Sequence, residues 1–289
     1  MQKQLFRSLL TACLLLLLCS TAFGGQSAKE GILLVAFGTS VESALVSYKN
    51  VEEQVKKAFP DHPILWAWTA HSLLKKNPSQ NSVLSPQEAL AKFATEGIKK
   101  VSVLSLHVIP GQEYFNLIAT AAAFQGLPKG LEQVNLTVPL LYDTGSVATM
   151  AEVLLRNIPK ARKPGEAVLL VGHGTHHPGG VYYPALQYYV SEKDPNVFIG
   201  TIEGDLDIKS LLKKIKAKGI KTVWMAPLMV VAGDHATNDL FGDEPDSWKQ
   251  LFAAQGIKVQ PIAKGLGEYP DIVNLWVEGL KNLGKENAH

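Results

Sequence analysis

Leu33-Leu34-Val35-Ala36-Phe37-Gly38-Thr39 is answered, in the second half of the chain, by Leu169-Leu170-Val171-Gly172-His173-Gly174-Thr175. Each stretch is a short, almost wholly apolar run that ends in Gly-Thr. Such a run suits a strand covered on both faces in a parallel sheet. Its two occurrences set the expected architecture.

Further segments recur in the same order. Gly97-Ile98-Lys99 through Val108, with Gly111 to Asn116, parallels Gly219-Ile220-Lys221 through Val230, with Gly233 to Asn238. Thr69-Ala70-His71 parallels Thr201-Ile202-Glu203 more weakly. Between these segments, strand and helix patterns alternate. Strands are expected at 32–37, 63–69, 101–107, 134–140, 167–172, 197–202, 222–228 and 257–261. Helices are expected at 41–59, 113–124, 147–158, 182–190, 206–217 and 271–283, with one more inside 235–254. Ser85-Pro86-Gln87-Glu88 reads as an N-cap followed by proline at the first helical position. The alternation implies βαβ units, and the ordered recurrence implies internal duplication. The expected fold is α/β: two similar Rossmann-like domains with parallel sheets and a cleft between them. Residues 29–145 form the first and 146–289 the second, which carries the metal site. Ligands of such sheets sit beyond the carboxyl ends of the strands.

Of the 289 residues, 46% are hydrophobic and 19% charged, which excludes a disordered or collagen-like chain. A net charge of +2, with arginine only at Arg7, Arg156 and Arg162, gives no footprint for nucleic acid. Lys3 and Arg7 precede the apolar run Leu9–Leu18, and small residues follow to Gly25. Residues 1–28 therefore read as a signal peptide of an exported, periplasmic protein; the run is short for a membrane span. Its removal takes Cys13 and Cys19, the only cysteines, and leaves no disulfide or thiolate ligand.

Placed on this frame, the chemistry-bearing residues gather at one sheet edge. His173 ends one strand, Glu203 ends the next, and His235 follows a third. Two imidazoles and a carboxylate suit a divalent first-row metal. Gly172, Gly174, Gly179 and Gly180 allow close backbone approach, and Thr175 offers a hydroxyl. His176 and His177 are as well explained by solvation as by ligation. The first half has Phe37, His71 and Glu113 at the corresponding places, so its wall is expected to supply shape and substrate contact. His107 is a candidate pocket residue. Trp66, Trp68 and Trp224 read as core or pocket wall. The stretch Gly172-His173-Gly174-Thr175-His176-His177 lacks the third glycine of a dinucleotide fingerprint. No Walker loop, His-Glu-x-x-His or Gly-x-Ser-x-Gly is present.

Leu34–Ser40, Leu106–Tyr114, Gly172–Thr175, Gly200–Gly204 and Pro227–Ala236 together resemble the class II chelatases of tetrapyrrole metabolism. Within that family they are most similar to the anaerobic cobalt chelatases of cobalamin synthesis. The resemblance implies a lyase that inserts Co²⁺ into sirohydrochlorin with release of two protons. It implies that His173 and His235 bind metal with Glu203 beside them, as ligand or as proton acceptor. Phe37, Thr39, Ser40, His107, Gly174 and Thr175 are the expected substrate contacts. The implied partners are a tetrapyrrole and a divalent ion, Co²⁺ with Fe²⁺ as the other candidate. Haem and oligomeric state are not legible in the sequence, and a homo-oligomer is compatible with it. Ferrochelatase chemistry, or metal or haem binding in the periplasm without turnover, are the alternative readings.

Overall fold

A computed structural model describes residues 29–70, 73 and 83–283. The expected signal peptide and His71 lie outside these residues. Two four-stranded sheets are present, both wholly parallel. The first contains β1 (Glu30–Ala36), β2 (Ile64–Trp68), β3 (Lys100–Ser105) and β4 (Gln133–Leu136), in the order β2-β1-β3-β4. The second contains β5 (Ala167–Gly174), β6 (Val197–Glu203), β7 (Thr222–Pro227) and β8 (Lys258–Pro261), in the order β6-β5-β7-β8. The identical order is the structural form of the sequence repeat.

Helices α1 (Leu45–Ala58), α2 (Pro86–Thr95), α3 (Gln112–Phe124) and α4 (Thr144–Arg156) belong to the first half of the chain. The second half adds α5 (Tyr182–Lys193), α6 (Ile208–Ala217), α7 (Trp248–Ala253) and α8 (Pro270–Asn282). Local chemistry sets several starts. Ser85 accepts from the Glu88 amide while Glu88 reaches back to the Ser85 amide, and Pro86 follows. Asp143, Asp207 and Ser247 cap α4, α6 and α7. Strand β4 stops at Leu136, short of the expected 140. Thr137 instead turns its Oγ1 to the Ser105 amide at 2.9 Å, and Pro139 has no N–H to give the ladder.

Alternation along each first strand splits the core. Ile32, Leu34 and Ala36 face inward, as do Val168 and Leu170, and these join one continuous cluster that spans both halves. Leu33 and Val35 face outward onto Leu90 and Phe93 of α2. Leu169 and Val171 face outward onto Ile215 of α6 and Phe252 of α7. Burying each side chain of this size stabilises by about 2 kcal/mol.

The closing helix α8, which the sequence places in the second unit, crosses back and packs on α1 and β3. Ile272, Val273, Trp276 and Val277 are buried there in the shared core. Asn157 at the end of α4 donates to both carboxylate oxygens of Asp271 at 2.9 and 3.0 Å. Asn50 donates to the Gly267 carbonyl at 3.2 Å. An amphipathic pattern reports that a helix is buried, and carries no address for the sheet that buries it.

Candidate metal centre

Three glycine-dependent approaches hold the strand ends. Gly174 pairs with Glu203 across β5 and β6 and has φ +82°. A Cβ there would stand 1.8 Å from the Glu203 carbonyl oxygen, so only glycine fits. Gly38, two residues beyond β1, is also left-handed, at φ +108°, and a Cβ there would stand 2.8 Å from the Trp68 ring. A Cβ on Gly179 would stand 2.2 Å from the Pro110 carbonyl oxygen. After each of the first two glycines a threonine closes a turn. Thr39 Oγ1 accepts from the Val41 amide at 3.1 Å, and Thr175 Oγ1 from the His177 amide at 3.0 Å. A buried tyrosine accepts from each glycine amide, Tyr48 from Gly38 at 3.2 Å and Tyr183 from Gly174. Burial pushes the Tyr183 phenol up to about 12 and Tyr48 upward as well, so both are neutral.

This scaffold sets His173 against His235. Their ring centroids are 4.6 Å apart and their planes cross at 80°. His173 Nδ1 lies 3.1 Å from the Gly174 carbonyl oxygen. A carbonyl only accepts, so Nδ1 carries the proton and Nε2 keeps its lone pair. His235 enters a π-helical turn, Ala236–Leu240, and its Nδ1 lies 2.6 Å from Asp239 Oδ2. The carboxylate fixes the same tautomer and leaves Nε2 as the free donor. Two adjacent imidazoles with free Nε2 atoms can hold a late first-row ion and leave coordination positions open.

Glu203 is not brought into this pair. Its parity on β6 is that of Val197 and Ile199, which face the inner core, whereas His173 has the parity of Leu169 and Val171 on the outer face. The carboxylate is exposed. Among the described residues no three His, Cys, Asp or Glu side chains stand close enough to hold one ion. The expected three-ligand set is therefore two imidazoles with a carboxylate on the neighbouring strand end. Sequence order put all three at one edge; the two-residue period of the strands divides them between faces.

The expected substrate contacts occupy the carboxyl edges of the sheets. Phe37, after β1, is 52% exposed, and Ser40 is exposed beside it. Thr39 is buried, and a Cβ on Gly233 would come within 3.0 Å of its Oγ1. Thr39 thus joins the two halves at the turn it closes. Gly174 and Thr175 line a pocket at the turns after β5 and β6. His107 Nδ1 is 2.9 Å from Ser105 Oγ, while Nε2 is shielded from solvent without a partner. Burial drives His107 down to about 4, so the ring is neutral. Among the paired residues, His177 accepts from the Gly179 amide and packs on Phe115, with centroids 5.3 Å apart. Its role is to join the halves. The indoles of Trp66 and Trp224 donate to Glu52 and Glu166. Tyr182 donates to the Tyr142 carbonyl, another link between the halves. Sequence reading missed Tyr48, Tyr183 and Asp239. Only Asp239 carried a signal, its helical spacing of four from His235.

Two parallel sheets with matched strand order, joined where their carboxyl-end loops meet and bearing a bare imidazole pair, define a protein of chelatase type. The comparisons agree. The family model described as Cobalt chelatase (CbiK) matches residues 30–284. The chain is 38% identical over 256 residues to the sirohydrochlorin cobaltochelatase CbiKC of Nitratidesulfovibrio vulgaris, covering 87% of this chain and 89% of that protein. It is 31% identical over 268 residues to the sirohydrochlorin cobaltochelatase of Salmonella typhimurium, covering 90% and 99%. Its fold is similar to that of the cobalt complex of the sirohydrochlorin chelatase SirB from Bacillus subtilis subspecies spizizenii. That match has a TM-score of 0.58 and 14% identity and covers 89% of this chain and 96% of SirB. This protein belongs to the cobalt chelatase (CbiK) family.

Proposed function

We propose that this chain inserts Co²⁺ into sirohydrochlorin and releases two protons. The observation that carries the reading is the His173–His235 pair, 4.6 Å apart with both Nδ1 atoms engaged. Nε2 of each ring takes the incoming ion and replaces part of its water shell. The remaining positions stay open to the ring nitrogens. Glu203, exposed on the adjoining strand end, takes up through water the protons that the pyrroles release. The macrocycle lies along the carboxyl edges of both sheets, where Phe37 offers an apolar face. Ser40, Thr175 and backbone amides meet its carboxylates, and Thr39 and Gly174 hold the turns that shape the wall. His107 is a neutral donor on the first-half side. Arg162 is committed to Asp194 and does not contribute. The basic and apolar pattern of residues 1–28 supports a periplasmic location for this chemistry.

The test is cobalt insertion followed spectroscopically, in parallel assays with Co²⁺ and Fe²⁺ on sirohydrochlorin and protoporphyrin. Cobalt with sirohydrochlorin is the productive pair. His235→Ala abolishes its turnover, and Glu203→Gln, which keeps shape and removes charge, lowers it severely. Undiminished rates in a folded His235→Ala protein defeat the assignment. Cell fractionation tests the location: activity confined to the cytoplasm contradicts it.

A further inference from the structure

The internal repeat supplies a control for the surface charge of the second half. Residues 86–99 and 208–221 are equivalent stretches. Helices α2 and α6 each begin directly after a capping side chain, Ser85 or Asp207, and each runs for 10 residues. They bury matching stripes, Ala89, Leu90 and Phe93 in one and Leu211 and Ile215 in the other. Both stretches end in Gly-Ile-Lys, with Ile98 and Ile220 each 4% exposed. Their charges differ. The first holds Glu88, Glu96, Lys92 and Lys99 and is neutral. The second holds Lys209, Lys213, Lys214, Lys216, Lys218 and Lys221 and no acid. The shared packing therefore does not require a basic helix.

All of these second-half lysines are exposed, and so is Lys258, whose amide donates to the Lys221 carbonyl at 2.9 Å. Among the described residues none of them forms an ion pair. Lys216 and Lys218 donate only to neutral oxygens, of Gln255, Pro195 and Asn196. Asp194 is taken by Arg162, and Asp207 by the helix start. Lys209 with Lys213, and Lys214 with Lys218, are like charges four residues apart, which weaken a helix left uncovered. The chemistry of the face selects what covers it. None of the large apolar side chains exposed among the described residues lies in 208–221. It thus has no ring to stack a base and no apolar anchor for the core of a protein interface. It has no arginine for bidentate readout. Flexible point charges along a helix about 15 Å long match the phosphates of an anionic bilayer. Helix α6 starts beyond the carboxyl end of β6 and ends before the amino end of β7. Lys216, Lys218, Lys221 and Lys258 therefore gather at the edge of the sheet opposite His173 and His235. We infer that this face seats the protein on an anionic lipid surface, with the imidazole pair turned away from the membrane.

The test is flotation of the full chain with phosphatidylcholine vesicles, with and without phosphatidylglycerol. The quantity read is the excess affinity for the anionic vesicles over the neutral ones. Wild type shows that excess at low salt and loses it at about 1 M salt, where the Debye length is about 3 Å. Lys213→Gln/Lys214→Gln/Lys221→Gln, at exposed positions without side-chain partners, lowers it about 100-fold, at about fivefold per lysine, with an unchanged melting temperature. Lys56→Gln/Lys92→Gln/Lys281→Gln removes the same charge from lysines that are ion-paired elsewhere, and lowers it only slightly. No excess affinity for anionic vesicles overturns the inference, as do equal losses in the two triple variants. A protein that ignores both vesicles and binds polyglutamate overturns it also, and assigns the face to an acidic protein partner.

Discussion

His107 provides a quantitative test of the packing at the carboxyl edge of the first sheet. Its imidazole is held neutral by burial, with its pKa pushed down to about 4 from 6.5. Nδ1 is taken by Ser105 Oγ, and Tyr114 stands edge-on with centroids 6.4 Å away. The unfolded chain binds a proton near pH 6.5 that the folded chain refuses until about pH 4. Between these values the unfolded state carries more protons, so stability rises with pH and is lost on acidification. The difference of about 2.5 pKa units is worth about 3 kcal/mol in all. About 2.5 kcal/mol of it is gone by pH 4.5. His107→Asn removes the titrating group. The assay is urea unfolding of both proteins at pH 7 and pH 4.5. Other groups titrate equally in both, so the difference between the two proteins isolates this residue. Wild type should lose about 2.5 kcal/mol more than the variant over that interval. Parallel losses would show that the imidazole is hydrated and free to charge in the folded state, which refutes the reasoning.

Two further outcomes concern the candidate metal centre. Asp239→Ala frees His235 Nδ1 and the ring orientation it fixes, so cobalt affinity by titration should fall about 10- to 100-fold with the fold intact. Asp239→Asn, which can still accept from Nδ1–H, should fall less; equal losses would argue against the hydrogen bond as the cause. Gly174→Ala forces a left-handed φ, costing about 1–3 kcal/mol, and drives a methyl into the Glu203 carbonyl. Its melting temperature and insertion rate should both drop, and an unchanged protein would contradict the packing described at that strand end.

The fold was legible because duplication wrote it twice. The runs at Leu33–Thr39 and Leu169–Thr175 each mark a central parallel strand, and the matched sheet orders bear this out. The destination of α8 was not legible, since Trp276 and Val277 advertise burial without naming a sheet. In the site, His173 and His235 were found because strand ends in one parallel sheet converge. Glu203 was placed with them because order along the chain ignores the face on which a side chain emerges. Tyr48 and Tyr183 read as ordinary helical apolar positions, and nothing in their spacing reveals that each holds a glycine amide at a strand end. His176 and His177 show the converse case. They are adjacent histidines in sequence, yet one is exposed and the other packs on Phe115.

The most direct measurement is a crystal structure of the cobalt-loaded protein. One ion bound by Nε2 of both His173 and His235, at about 2 Å from each, is the predicted result. Cobalt coordinated elsewhere, with those two rings turned apart, would contradict the account.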